Sequence, residues 1–194
     1  APAGVRVDGL LQEWQRHPML PVSERKQRGK PAVVWAGWTP TGLFMAGIVP
    51  DKTLRPRVPM WFEGDCVELF IGSDATNRPL GYGAADTRCY VAFDAKPGGA
   101  LTAGLYWAHD PPVNASAAQC AGTLLGKGYQ FEAFIPWPPA LQSEIVPGAT
   151  IRFACSILSD KPKRNWYVGA SNKDGVWSSP LLWAQATLIG AGKP

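Results

Sequence analysis

The chain has 194 residues, 46% of them hydrophobic and 18% charged, which excludes a disordered polymer and suits one folded domain over residues 1–194. Its net charge of +4 comes from dispersed basic residues. The two short clusters, Arg25-Lys26-Gln27-Arg28-Gly29-Lys30 and Lys161-Pro162-Lys163-Arg164, sit in Pro- and Gly-containing text without a recognition motif, so they read as solvated loops and nucleic acid is not an expected partner. No apolar run approaches the ~18 residues of a membrane span. Nine tryptophans are more than a core needs, and exposed indoles suit ligands with apolar faces.

In chain order, Val5 to Trp14 is an entry segment with a turn at Asp8-Gly9, followed by polar loop text through residue 30. Residues 32–38 and 43–49 are apolar runs around Thr39-Pro40-Thr41-Gly42, a β-hairpin signature. A proline-rich loop then delivers Trp61. Gly64-Asp65 opens into a strand with Val67, Leu69 and Ile71 on one side; at period two, Cys66, Glu68 and Phe70 fall on the other, where a ligand could meet them.

Further strands are predicted at 88–93, 103–108, 129–135, 151–157 and 183–189, with a short helical turn in 140–145. Residues 160–174 read as a polar loop interrupted by Trp166-Tyr167-Val168. No long amphipathic helix appears. About nine or ten short strands make a sandwich or jelly roll.

Three segments are similar to family 9 carbohydrate-binding modules, in the order that family shows them: Val7-Asp8-Gly9-Leu10-Leu11-Gln12-Glu13-Trp14, Gly64-Asp65-Cys66-Val67-Glu68-Leu69-Phe70-Ile71 and Gly128-Tyr129-Gln130-Phe131-Glu132-Ala133-Phe134-Ile135-Pro136-Trp137. The resemblance covers nearly the whole chain. It implies an all-β, two-sheet antiparallel β-sandwich, jelly-roll-like and immunoglobulin-like in shape. It also implies a non-catalytic module that stacks a short saccharide or polysaccharide chain end between two tryptophans.

Carried over by motif, Trp61 looks like the first platform and Trp177 the second. Glu68 and Arg88 are the implied polar partners and Asn172 the amide. Two departures stand out. The loop before Gly64-Asp65 is one residue longer than the usual spacing, which brings Phe62 towards the platform position; Lys173-Asp174-Gly175 loosens the alignment at Trp177. The resemblance further implies an oligosaccharide or polysaccharide partner, membership of a larger polypeptide, and a secreted or cell-envelope location.

The residues themselves leave alternatives. Trp61 and Trp177 are either platforms or loop packing. Glu68 is either a ligand contact or one half of a cross-strand ion pair with Arg88. Trp14, Trp35, Trp137 and Trp183 read as core and Glu132 as structural. Glu68 and Glu132, both on strands, are the pair that hydrolysis would draw on, which needs two carboxylates about 5–10 Å apart.

His17 and His109 read as surface residues. Asn114-Ala115-Ser116 fits the glycosylation sequon. Cys66, Cys89, Cys120 and Cys155 lack metal spacing and are either buried thiols or disulfides. Structural calcium, implied by the resemblance, would draw on Asp8, Asp51, Asp65 and Asp160. A haem-binding relative would draw on Met45, Met60 and His109. The competing reading is a structural or protein-interaction sandwich with no sugar site.

Overall fold

The computed structural model describes residues 4–24, 30–51, 54–57, 59–74, 81–95, 101–109, 111–159, 164–169 and 175–190. Among these are eleven strands and one short helix, α1 (Pro139–Gln142). The strands are β1 (Ser23–Glu24), β2 (Val33–Thr39), β3 (Gly42–Val49), β4 (Cys66–Ser73), β5 (Thr87–Ala95), β6 (Leu101–Trp107), β7 (Gln119–Leu125), β8 (Gly128–Pro136), β9 (Thr150–Ser159), β10 (Arg164–Val168) and β11 (Ala184–Thr187). They form two antiparallel sheets, β1-β10-β9-β4-β5-β6 with β11 also on β9, and β2-β3-β8-β7.

The two sheets meet over one apolar core. Val67, Leu69 and Ile71 of β4 face it with Cys89, Val91 and Phe93 of β5 and Ile151, Phe153, Cys155 and Ile157 of β9. Met45, Tyr129, Phe131, Ala133, Ile135 and Trp137 meet them from the four-stranded sheet. Each fully buried aliphatic side chain here contributes about 1.5–3 kcal/mol by leaving water, which fixes the register: a one-residue slip would put Glu68 into the core.

The four tryptophans read as core are all buried, but only Trp137 lies between the sheets. Trp14 and Trp35 form a second cluster with Leu11 and Ala46, on the outer face of the four-stranded sheet. Trp183 joins Phe70, Ala154 and Val176 on the outer face of the larger sheet. Each sheet is therefore packed on both sides, and a buried indole need not be an inter-sheet one.

Three strands depart from the sequence expectation. β1 lies in a stretch expected to be loop, β7 was not anticipated, and β10 takes up Trp166-Tyr167-Val168 from the supposed loop. β10 and β11 lie end to end along one side of β9. Val168 pairs Cys155 and Ala184 pairs Phe153, with the Ala184 amide donating to the Gly169 carbonyl at 2.6 Å. They make one interrupted strand. Gly169 sits at φ +63°, and a Cβ there would come 2.7 Å from the Phe153 carbonyl oxygen, so the exit from the ladder requires glycine.

Candidate functional site

The outer face of the larger sheet presents a row of side chains across five strands. Register places Tyr167, Ser156, Glu68, Tyr90 and Tyr106 side by side on β10, β9, β4, β5 and β6. Arg88 stands one pair further along, opposite Phe70. Its Nη2 donates to Glu68 Oε1 at 2.7 Å, and its guanidinium lies 5.2 Å from the Tyr90 ring centroid and 5.5 Å from that of Phe70. The guanidinium thus lies against two aromatic rings and pairs with a carboxylate, the two side chains only 13% and 6% exposed.

Burial pushes the Glu68 carboxyl above its ordinary value despite the opposing pull of Arg88. Burial also works against the Arg88 charge, but Glu68 outweighs it and the net shift is upward. The two form a buried ion pair, Nη2 to Oε1 at 2.7 Å. Ser156 Oγ, beside Glu68, and Arg88 Nε are buried polar atoms without a hydrogen-bond partner. Such orphans are uncommon, and here two share one surface.

Trp61 closes one end of the row. It begins a 3-10 turn over Trp61–Glu63, packs on Cys66, Tyr90 and Ala92, and stacks on Tyr106 with centroids 4.0 Å apart and planes at 23°. Gly104 makes room for this, because a Cβ there would sit 2.7 Å from the Tyr106 hydroxyl. One indole face is therefore taken, and Trp61 is only 9% exposed, whereas neighbouring Phe62 is 51% exposed.

Tyr82 lies on the Arg88 side of the row, packed on Phe70 and Trp183. Its ring lies edge-on to Trp183 at 5.6 Å and to His109 at 4.8 Å, and its hydroxyl donates to the Trp177 carbonyl at 2.9 Å. Burial and the neighbouring Arg88, which opposes it, leave the Tyr82 phenol pushed up to about 12, so it stays a donor. Trp177, tethered here, is 57% exposed.

Of the five residues singled out from sequence, the structure puts Glu68 in the middle of the row with Arg88 beside it, the Trp177 segment tied to Tyr82 on the Arg88 side, and Trp61 over the Tyr90–Tyr106 end. Asn172 lies outside the described residues. Tyr82, Tyr106 and Ser156 were not anticipated. The sign available for Tyr82 was an aromatic between glycines, Gly81-Tyr82-Gly83, in otherwise polar loop text.

Glu132 stands on the opposite sheet and faces away from the core. Its carboxylate accepts from Trp14 Nε1 at 2.7 Å, the Gly9 amide at 2.8 Å and the Asp8 amide at 3.1 Å, strapping the entry segment down. Glu68 and Glu132 thus sit on the two outer faces of the sandwich, with sheets packed about 10 Å apart between them. They cannot flank a bound sugar as an acid–base pair.

The aspartates considered for calcium have protein partners. Asp8 accepts from the Leu10 amide, Asp51 from Ser159 Oγ and Asp65 from the Arg55 amide, while Asp160 lies outside the described residues. Among the described residues no three acidic, histidine or cysteine side chains gather to hold a metal ion. Met45 lies in the inter-sheet core and His109 against Tyr82 on the outer face, so a sheet separates these two haem candidates; Met60 is exposed.

All four cysteines are unpaired thiols, and burial raises the pKa of each. Asn114 of the sequon donates its side-chain amide to the Trp137 carbonyl at 2.9 Å. Among the described residues no helix is long and apolar enough to cross a membrane.

Fold and surface together define an all-β sandwich with an aromatic-rimmed acid–guanidinium pair on one outer face. At the level of sequence, no family model and no curated protein matches the chain. Among solved structures, it is similar to a family 9 carbohydrate-binding module (CBM9) from Caldicellulosiruptor kristjanssonii in complex with glucose. The TM-score is 0.74 at 18% identity, over 100% of this chain and 96% of that one. A CBM9 from the same organism in complex with cellotriose gives 0.72 at 20% identity, over 98% and 94%. The chain has the CBM9 fold.

Proposed function

We propose that the protein is a non-catalytic carbohydrate-binding module that takes a short saccharide or a polysaccharide chain end. The carrying observation is the nearly buried Glu68–Arg88 pair on the same outer face as Tyr82, whose hydroxyl bonds the carbonyl of the exposed Trp177. A sugar ring offers an apolar C–H face for stacking and hydroxyls that both donate and accept; Glu68 accepts, Arg88 donates, and Trp177 supplies the face. The CBM9 structures in complex with glucose and cellotriose support this reading through the shared fold.

Phe62, next to Trp61 and half exposed, is the second platform in this proposal, with Trp61 and Tyr106 as its backing. Asn172 keeps the amide role that the resemblance assigns. The module belongs to a longer exported or cell-envelope polypeptide, which it brings to polysaccharide.

Titration with glucose and cello-oligosaccharides, followed by tryptophan fluorescence and calorimetry, tests the reading. Saturable binding that Trp177→Ala and Glu68→Gln abolish is expected, with Phe62→Ala costing more affinity than Trp61→Phe. No response to any neutral sugar would end it. A scaffold role would then follow, as the burial of Trp61 already favours for that residue.

A further inference from the structure

We propose that Tyr82 is a positioning residue: its hydroxyl latches the segment carrying Trp177 on the Arg88 side of the Glu68–Arg88 pair and so holds the exposed indole at the site. Trp177 projects more than half its surface into water and gains little from burial, so its own packing does not fix where it stands. Its backbone is fixed instead, by the 2.9 Å hydrogen bond from Tyr82 to its carbonyl.

Tyr82 is in turn held on two sides. Trp183 contacts its ring from the sheet, with its own indole nitrogen donating to the Val176 carbonyl at 2.8 Å, and His109 contacts it from the turn after β6. The hydroxyl also lies beside the Arg88 guanidinium, which bonds Glu68. Two hydrogen bonds thus stand side by side, Arg88 to Glu68 and Tyr82 to the main chain of the platform residue. Two consecutive carbonyls of the Trp177 segment are thereby tied down, that of Val176 to Trp183 and that of Trp177 to Tyr82.

This deepens the carbohydrate reading and rests on it for the effect on affinity, but not for the effect on Trp177 itself. The test is Tyr82→Phe, which keeps the ring contacts and removes one hydroxyl. Sugar-free protein labelled with 5-fluorotryptophan is observed by fluorine NMR, the Trp177 line being assigned from its loss in Trp177→Phe.

The latch requires that Tyr82→Phe shift or narrow the Trp177 line without sugar while the Trp14 and Trp137 lines stay put. Affinity for a cello-oligosaccharide should fall by roughly five-fold, the size of one lost hydrogen bond. An unchanged Trp177 line overturns the proposal, whether or not affinity falls, since a fall alone would make Tyr82 a direct sugar contact. A shifted line in a protein that binds no sugar would leave the latch standing and remove the carbohydrate reading.

Discussion

Two glutamates, one on each outer face of the sandwich, make an instructive contrast. Both sit in strands that have neighbours on either side, both point away from the inter-sheet core, and burial raises the pKa of both. Glu132 is met by three N–H donors from the chain's own entry segment. Glu68 is met by Arg88, and beside it lie two polar atoms with no partner. The four-stranded sheet has filled its outer face with a strap, whereas the larger sheet has left polar capacity unspent. A buried outward carboxylate is thus a sign of something covering it, and its own-chain donors tell strap from ligand.

The largest expected effect tests the strap. Glu132→Ala leaves the Trp14 indole N–H and two backbone amides without their acceptor, at a cost of about 3 kcal/mol, or roughly 6–12 °C in Tm for a chain of this size. Saccharide affinity measured below the transition should be unchanged, because the strap is on the far face. A loss of affinity there would join two surfaces that the contrast separates.

Arg88→Ala comes next. It strips Glu68 of its counter-charge in a nearly dry setting, and about 2–3 kcal/mol of stability should go, below the ~3–5 kcal/mol of a fully buried pair because the guanidinium side chain is 13% exposed. Binding should vanish with it. A variant that loses stability yet binds normally would make the pair purely structural, a second strap in effect.

Trp177→Ala separates the two faces most cleanly. An indole this exposed should change stability by no more than about 0.5 kcal/mol, while affinity drops at least ~10-fold, or about 1.4 kcal/mol. Denaturant melts and sugar titrations of one preparation give both numbers.

The smallest effect is in pH. The Glu68 pKa is raised on folding, so its contribution to stability is fully present below the ordinary carboxylate pKa and is lost as pH rises through the folded value. The Tm of the wild type minus that of Glu68→Gln should therefore increase as the solution is acidified through that window. A difference that is flat, or that decreases, would mean Glu68 is better solvated than its burial implies.

Much of the fold was legible because burial on one side leaves a period-two trace. Val67, Leu69 and Ile71, and likewise Ile151, Phe153, Cys155 and Ile157, were read correctly as core-facing. β7 was missed because Gln-Cys-Ala-Gly-Thr-Leu-Leu is an edge strand with little buried surface, held by its ladder to β8. Backbone pairing of that kind leaves no mark on side-chain choice.

The site was legible where a strand fixed it, at Glu68 and Arg88, and less so where loops did. Trp61 and Phe62 are adjacent in a 3-10 turn, and no alternation rule says which one faces the sheet. Tyr82 and Trp183 meet through segments 101 positions apart, a distance over which sequence pattern carries no signal.

The interrupted strand has a consequence for engineering. Because Gly169 and Ala184 are joined at 2.6 Å, the stretch between them leaves and re-enters the ladder at a single point, like a bracket whose two feet touch. The enclosed stretch is nonetheless anchored to the sheet, because its Val176 and Trp183 are buried against Phe70 and Ala154. An exchange that keeps those two side chains keeps the sandwich beneath them; one that removes them opens a cavity on its outer face.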